Sequence, residues 1–396
     1  MSRKSMRTRG IVLAACSAAL ISACTPPMPP DVLAARAESQ IVCQPGEVQV
    51  GVSETLTGAM TSVGDALTSI CPGQTVVEAP GDVASPLQLV DRTPVPADIA
   101  SFDKQACAAG SPIVVPAFGY PVTIAYNEPG LEGLVMTPQA VAGILQGTVT
   151  TWDDPVIADA NPDFDLSGLP PLTLMAAQTP QGSVEAMTAW VAQFAPESWS
   201  AGTVGVLAAG QQLPTVTDLI SELTVTEGAV AVLPIFQAFN NVLASANLPV
   251  AVVDADGATQ EVVVTADDVQ LYKVGSGATN ITVDGTGNIL ASPAIGGVPV
   301  EGNFDIASSK IVLGADQPLV GWPVIGYAHL LICDDPAAPL PLSFAQYVVR
   351  LAGQGSLETF GVTPMPEPIR VQTFIPLKVT VSGDEPAASP SVVPTA

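Results

Sequence analysis

The chain has 396 residues, of which 48% are hydrophobic and 5% aromatic, so it is long enough for two domains with separate cores. Its 37 acidic residues outnumber 12 basic ones and give a formal net charge of −25. This charge disfavours nucleic acid or an acidic membrane surface as a partner of the folded part, and a solvated acidic surface explains it most simply.

The N-terminus has the pattern of an export signal. Basic residues come first, at Arg3, Lys4, Arg7 and Arg9. An apolar run over 11–23 follows, which is too short to span a bilayer as a helix. The run ends in "LISAC", which resembles the lipobox of bacterial lipoproteins and predicts lipidation of Cys24. Cys16 also ends such a pattern, but cleavage there would leave a stunted apolar region.

Residues 1–24 are therefore predicted to be a lipoprotein signal peptide with its lipobox. The Pro-rich residues 25–40 are predicted to be a stiff tether. Lipid on Cys24 would anchor the chain to the extracellular face of the bacterial cell membrane without spanning it.

Strands alternate with helices over most of the remaining chain. "VQVGVSETLTGAMTSVGDALTSI" indicates a strand, a polar turn and a helix, and "QTVVEAP" and "SPLQLVD" indicate short strands. A helix over 96–109 and a long apolar strand, "SPIVVPAFGYPVTIAYN", come next, and a further helix runs from Pro138 to a stop at Gly147. This alternation predicts an α/β fold with parallel strand pairing.

The stretch "LTLMAAQTPQGSVEAMTAWVAQF" over 172–194 predicts a buried strand, a polar turn and an amphipathic helix. Gly182 and Ser183 stand where that helix begins. Free backbone N–H groups and a hydroxyl at a helix N-terminus suit an anion, although no Arg or Lys lies near them in the sequence.

Residues 249–318 differ in composition from the rest, because Val, Thr, Gly, Asp and Asn dominate. Turn pairs such as Asp284-Gly285 predict a run of β-hairpins inserted into the fold. The Pro-, Ser- and Ala-rich residues 381–396 are predicted to be a disordered tail.

The sequence offers little for catalysis or metal binding. The single histidine, His329, lies in a strand pattern, where we expect it to be buried and hydrogen bonded. No CxxC or Cys/His cluster indicates a metal, and no nucleophile–base pair can be assembled. We therefore expect a binding protein without metal or cofactor, and not an enzyme.

Several stretches together resemble the phosphate-binding lipoproteins of the high-affinity phosphate ABC importer, within the periplasmic-binding-protein superfamily. The family's Tyr-Asn strand end, Gly-x-x-x-x-Trp-x-Asp-Pro turn and Asn-Pro are matched by Tyr126, Asn127, Gly147, Trp152, Asp154, Pro155, Asn161 and Pro162. "GWPVIGYAHLLI" and "GQGSLETFGVTPMPEPI" look like the closing strand, helix and Pro-rich segment. The likeness covers most of residues 46–375 and is weakest over 249–318.

The resemblance implies a two-lobed, type II periplasmic-binding-protein-like fold with a β-rich insertion. Lobe 1 would comprise residues 41–122 and 319–380, lobe 2 residues 123–248, and the insertion 249–318. The implied protein is a monomer that captures phosphate or a similar small anion and delivers it to ABC permease subunits.

The resemblance also implies which residues line the ligand cleft. They are Ser53, Thr55, Leu56, Asp91, Arg92, Gln181, Gly182 and Ser183. Asp91 would accept the proton of a hydrogen phosphate. Ala177 stands where the family has an Arg, and an inward swing of Arg92 would replace that cation.

The ligand loops therefore depart from the family pattern, and two hypotheses remain open. The first is a substrate-binding lipoprotein of an ABC importer. The second is a degenerate, non-transport binding or sensing module on the same scaffold, which the insertion would favour as a surface for a partner.

Four cysteines remain after export, and an even number outside the cytoplasm favours disulfides. Cys43 precedes the first strand and Cys71 precedes the second. Parallel neighbouring strands start at the same sheet edge, so we predict that these two pair. Cys107 and Cys333 then pair by elimination.

Overall fold

The computed structural model of the protein describes residues 38, 40–107, 109–253, 259–266, 279–293, 303–305, 310–312 and 322–379. Residues Val42–Val379 form one compact unit. The predicted lipidation site Cys24, most of the predicted tether and the predicted C-terminal tail lie outside the described residues, so these remain predictions. Among the residues described, no helix is both long and apolar enough to cross a membrane.

A ten-stranded sheet organises the compact unit. The strands within the described residues are β1 (Gly46–Val52), β2 (Gln74–Pro80), β3 (Leu87–Val90), β4 (Ser111–Asn127), β5 (Thr173–Ala177), β6 (Gln211–Leu213), β7 (Ala229–Pro234), β8 (Ala244–Ser245), β9 (Leu248–Val253), β10 (Thr259–Val264), β11 (Thr279–Val283), β12 (Ile289–Pro293), β13 (Asn303–Asp305), β14 (Lys310–Val312), β15 (Ile325–Asp334) and β16 (Thr363–Pro364). The main path is β2-β1-β3-β15-β4-β7-β5-β6, and β8 and β16 also pair with β4.

The sheet has two halves joined by β4. The first half contains β1, β2, β3 and β15, and the second half contains β5, β6 and β7. Strand β1 pairs in parallel with β2 and β3, and β5 with β6 and β7, as predicted. In the centre β15 runs antiparallel to both β3 and β4. Local alternation of strands and helices does not reveal this pairing, because β15 enters from a distant part of the chain.

The helices cover this sheet. They are α1 (Ala59–Ile70), α2 (Pro96–Ala106), α3 (Pro138–Gln146), α4 (Pro155–Ala158), α5 (Gly182–Phe194), α6 (Val216–Val225), α7 (Ile235–Asn240), α8 (Leu340–Val348), α9 (Leu351–Glu358) and α10 (Glu367–Gln372). A short 3₁₀ turn, Glu54–Leu56, follows β1. Helix α2 ends three residues before the predicted end, and the long strand β4 has the predicted bounds.

The residues that carry the family resemblance have structural roles here. The Thr137 side chain caps α3, and Gly147 ends that helix with φ of 71°, a left-handed conformation that favours glycine. Asn161 exchanges hydrogen bonds of 2.8 Å with the backbone of Val135 in both directions. The rings of Tyr126 and Trp152 pack at 5.6 Å between centroids. These contacts specify the fold, and none of them involves the predicted ligand residues.

The described parts of residues 249–318 form antiparallel hairpins, β9–β10, β11–β12 and β13–β14, in agreement with the predicted β-rich character. The hairpin β11–β12 contacts the first half of the sheet. Buried His329 on β15 accepts a 2.9 Å hydrogen bond at Nε2 from the Ala291 amide. Burial lowers the pKa of His329 to about 4, so the imidazole is neutral and structural, as predicted.

Both predicted disulfides are present. Cys43 and Cys71 are bridged with their Cα atoms 5.3 Å apart, at the edge where β1 and β2 begin. Cys107 and Cys333 are bridged with their Cα atoms 5.1 Å apart. The second bridge links the end of α2 to β15, a partner 226 residues away in sequence.

Candidate ligand site

Three loops that the sequence places far apart meet at one edge of the sheet. Strands β1 and β3 are parallel neighbours, so the residues that follow them, Ser53 and Asp91, lie side by side. The Ser53 amide donates to the Leu89 carbonyl at 2.9 Å, which fixes the two loops together. The third loop follows β5 in the second half and leads into α5 at Gly182.

The helix α5 terminus contacts the β3 loop directly. The Gly182 amide donates to Asp91 Oδ2 at 3.3 Å, and the Tyr120 hydroxyl donates to the Asp91 backbone carbonyl. A Cβ atom at Gly182 would overlap that carbonyl and the Tyr120 hydroxyl. Glycine is therefore required at 182 by the close approach of two backbone segments.

Asp91 occupies the position at which the donors of the site converge. It is only 4% exposed. Burial raises the pKa of the Asp91 carboxyl, and hydrogen bonds from the Thr55 side chain, the Gly182 amide and the Ser53 side chain counteract that rise. A carboxylate is itself an oxyanion, so the structure shows that these groups can surround one.

The two predicted residues that flank Gly182 are buried with unused hydrogen-bonding capacity. Gln181 and Ser183 are 2% and 0% exposed. Within the described part of the chain, neither Gln181 Oε1 nor Ser183 Oγ has a hydrogen-bond partner. Buried polar groups are rarely left unpaired, so these two atoms are the strongest indication of a ligand at this site. Leu56, the remaining predicted residue of the first loop, is fully buried and contributes packing.

Arg92 does not turn inward in this structure. Its guanidinium forms an ion pair with Asp98 at 2.8 Å, and the Arg92 side chain is 23% exposed. Asp98 also accepts the Val95 amide at 2.9 Å, so it holds Arg92 at the start of α2. The cation that the ligand loops lack is therefore close to the site but is neutralised by a carboxylate.

Ala177, which stands where the family has an Arg, lies in an apolar environment. Its side chain is 1% exposed and belongs to an apolar cluster with Met175 of β5 and Val216 and Leu219 of α6. This side of β5 is filled by hydrophobic packing. A charged side chain at position 177 would therefore be buried among apolar residues unless it turned toward the candidate ligand site.

Sequence reasoning missed two residues of the site. Tyr120 lies within β4 and gives no local signal of its contact with Asp91. Glu185 lies in the first turn of α5, where burial raises the pKa of its carboxyl to about 7, Arg92 lowers it, and Asp91 and Asp98 raise it further. Glu54 stands between Ser53 and Thr55 in the sequence, but its Oε2 accepts hydrogen bonds from the first two amides of α6. Only the position of Glu185 three residues after Gly182 could have been read from the sequence.

No cluster of three or more His, Cys, Asp or Glu side chains with metal-binding geometry occurs among the described residues. The chemistry available at this edge of the sheet is hydrogen bonding by backbone amides, hydroxyls, an amide side chain and carboxylates. This arrangement is suited to binding a small polar ligand between two halves of an α/β sheet.

Comparison with known proteins gives the family. A family model described as PBP superfamily domain matches residues 35–288. The chain belongs to this superfamily, and its fold is the two-lobed α/β fold that the sequence predicted.

Solved structures share this fold at low sequence identity. An ancestral soluble variant of the Human Phosphate Binding Protein is 11% identical, covers 83% of this chain and 93% of its own, and has a TM-score of 0.55. A high affinity periplasmic phosphate-binding protein (PfluDING) bound with phosphate at pH 8.5 is 16% identical, covers 83% of this chain and 92% of its own, and has a TM-score of 0.51. At these identities the likeness concerns the fold.

Proposed function

We propose that the protein captures phosphate or a similar oxyanion outside the cell and presents it to the permease subunits of an ABC importer. The observation that carries this proposal is the convergence of Ser53, Thr55 and Gly182 around the Asp91 carboxylate, with Gln181 and Ser183 on either side of Gly182 in the chain. Gln181 and Ser183 are buried, and each has a polar side-chain atom without a partner among the described residues. The fold is shared with proteins whose names state that they bind phosphate.

The anchor and the lobes complete this proposal. Lipid on Cys24 would hold the protein at the outer face of the membrane, near a permease. Mass spectrometry of the membrane-extracted protein should find an acylated N-terminal Cys24, and a mature chain that starts elsewhere would refute the anchor. Residues 41–122 with 319–380, and residues 123–248, would act as the two lobes that close on the ligand.

The buried carboxylate of Asp91 determines which oxyanion fits. A hydrogen phosphate carries a proton that it can donate to Asp91, whereas fully ionised sulfate would face the carboxylate unpaired. The missing Arg removes a charge-assisted hydrogen bond of about 1.5–3 kcal/mol, so we expect affinity about 10- to 100-fold below that of the complete family motif.

Isothermal titration of the purified protein with phosphate, sulfate and a neutral sugar tests this function. Phosphate should release or absorb heat, and sulfate should bind far more weakly. Asp91→Asn removes the negative charge and supplies a donor, so the variant should bind sulfate more tightly and lose the preference for phosphate. An absence of heat from phosphate at millimolar concentration in both proteins would overturn the transport proposal.

The second candidate is a non-transport binding or sensing module. It is favoured by the pairing of Arg92 with Asp98, because Arg92 is the cation that stands next to the buried Asp91 and its charge is already matched by a carboxylate. In this case the neutral sugar or another uncharged polar ligand should bind instead of phosphate, and Asp91→Asn should not create sulfate binding.

A further inference from the structure

Glu54 joins the two halves of the sheet through contacts with α6 and not through the Asp91 contact with α5. It lies in the 3₁₀ turn after β1, in the first half, yet its carboxylate reaches α6 in the second half. Glu54 Oε2 accepts the Val216 amide at 2.9 Å and the Thr217 amide at 3.4 Å. These are the first two amides of α6, which no intrahelical bond can satisfy, and the helix dipole favours a negative charge there.

The same turn is held from a second side. The side-chain amide of Gln237, on α7 in the second half, donates to the Thr55 carbonyl at 2.9 Å. The turn Glu54–Leu56 is therefore bound by two helices of the opposite half. Both contacts use atoms that do not surround Asp91, so they form without help from a ligand.

We propose that Glu54 is a positioning residue that holds the two halves of the cleft together in the absence of ligand. Separating the halves would break both bonds to α6 and leave its first amides without their partner. Because a ligand that contacts both halves binds only the closed form, the apparent affinity depends on the fraction of molecules that is closed. Glu54 raises that fraction before any ligand arrives.

Glu78 provides a matched control within one half. Its two carboxylate oxygens accept the Gly58 amide at 2.7 Å and the Thr61 amide at 2.8 Å, at the N-terminus of α1. Glu78 lies on β2, which belongs to the first half together with α1. Glu54 and Glu78 thus make the same kind of bond to a helix terminus, but only the bond of Glu54 crosses the cleft.

The test compares the ligand-free protein with Glu54→Ala, Glu54→Gln and Glu78→Ala. Amide hydrogen exchange at Gly182 reports the cleft, since this amide contacts Asp91 across it, and small-angle X-ray scattering reports the separation of the halves. Glu54→Ala should increase exchange at Gly182 by about two- to tenfold and raise the radius of gyration. Glu54→Gln keeps an acceptor and should fall between the parent and Glu54→Ala.

Glu78→Ala should lower the melting temperature but leave Gly182 exchange and the radius of gyration at the parent values. Unchanged Gly182 exchange in Glu54→Ala, or an equal increase in Glu78→Ala, would overturn the proposal and make Glu54 a local helix cap. The experiment uses no ligand, so its result is independent of whether phosphate binds.

Discussion

The N-termini of α5 and α6 receive carboxylates from the opposite half of the molecule, but they differ in what remains unpaired. Helix α6 has its own cap, since the Thr215 hydroxyl accepts the Asp218 amide at 3.0 Å, and Glu54 takes two further amides. Helix α5 has no side-chain cap at Gln181, and the Gly182 amide donates to Asp91 at 3.3 Å.

We infer from this difference that the α6 terminus helps to hold the two halves together and that the α5 terminus is available to a ligand. The protein itself occupies the α6 terminus, so this terminus has a structural use. At α5 the buried atoms Gln181 Oε1 and Ser183 Oγ are left without partners among the described residues. A ligand can improve the hydrogen bonding of α5 but not that of α6. Three tests probe this distinction, and they follow in order of the expected effect.

The largest effect is expected from Gly182→Ala, because the new methyl group would overlap the Asp91 carbonyl where α5 meets the first half. The free energy of unfolding should fall by about 3 kcal/mol in chemical denaturation. Gly355→Ala on α9 is the control, since its methyl group would meet no atom of the described residues within 4 Å. Equal stability of the two variants would contradict the close approach of α5 to the β3 loop.

The second test compares one substitution at the N-terminus of α5 with one at the N-terminus of α6. Ser183→Ala removes a buried unpaired hydroxyl, so stability should hold while phosphate affinity falls about fivefold, or roughly 1 kcal/mol. Thr215→Ala removes the cap of α6, so it should cost about 1 kcal/mol of stability and leave affinity unchanged. Calorimetric titration and thermal unfolding of both variants give the two readings. Loss of stability in Ser183→Ala without loss of affinity would show that α5 has no special use in binding.

The smallest effect concerns the pH dependence that Glu185 confers on α5. Burial raises its pKa to about 7 from an ordinary value of 4.5, so the folded protein takes up a proton that the unfolded chain does not. This contribution to stability is complete below about pH 4.5 and is lost as the pH rises through about 7. Glu185→Gln is neutral at every pH, so its advantage in melting temperature should be present at pH 8 and vanish near pH 5.

The exposed Glu197 supplies the control for this measurement. Glu197→Gln removes one negative charge from the surface without touching the α5 terminus. A difference between parent and Glu185→Gln that stays constant from pH 8 to pH 5 would show that Glu185 does not titrate in this range.

The hydrophobic pattern of the sequence predicted most elements of the fold because they are local. The long strand β4 is a continuous apolar run, and α3 begins at the Thr137 cap and ends at Gly147. The cysteine pairs followed from the order of strands and from elimination. The antiparallel insertion of β15 between β3 and β4 did not follow, since nothing local records a partner more than 200 residues away.

At the candidate site the sequence by itself determined the residue types: a glycine and a serine opening a helix, hydroxyls after β1, and an acid after β3. Tertiary structure alone decided how they are used. In the folded chain Arg92 pairs with Asp98, and the Asp91 carboxylate accepts the Gly182 amide. Glu54 accepts an amide of α6 in the opposite half. The physical reason is that a charged side chain takes whichever partner the folded chain brings within hydrogen-bonding distance, and that distance depends on contacts remote in sequence.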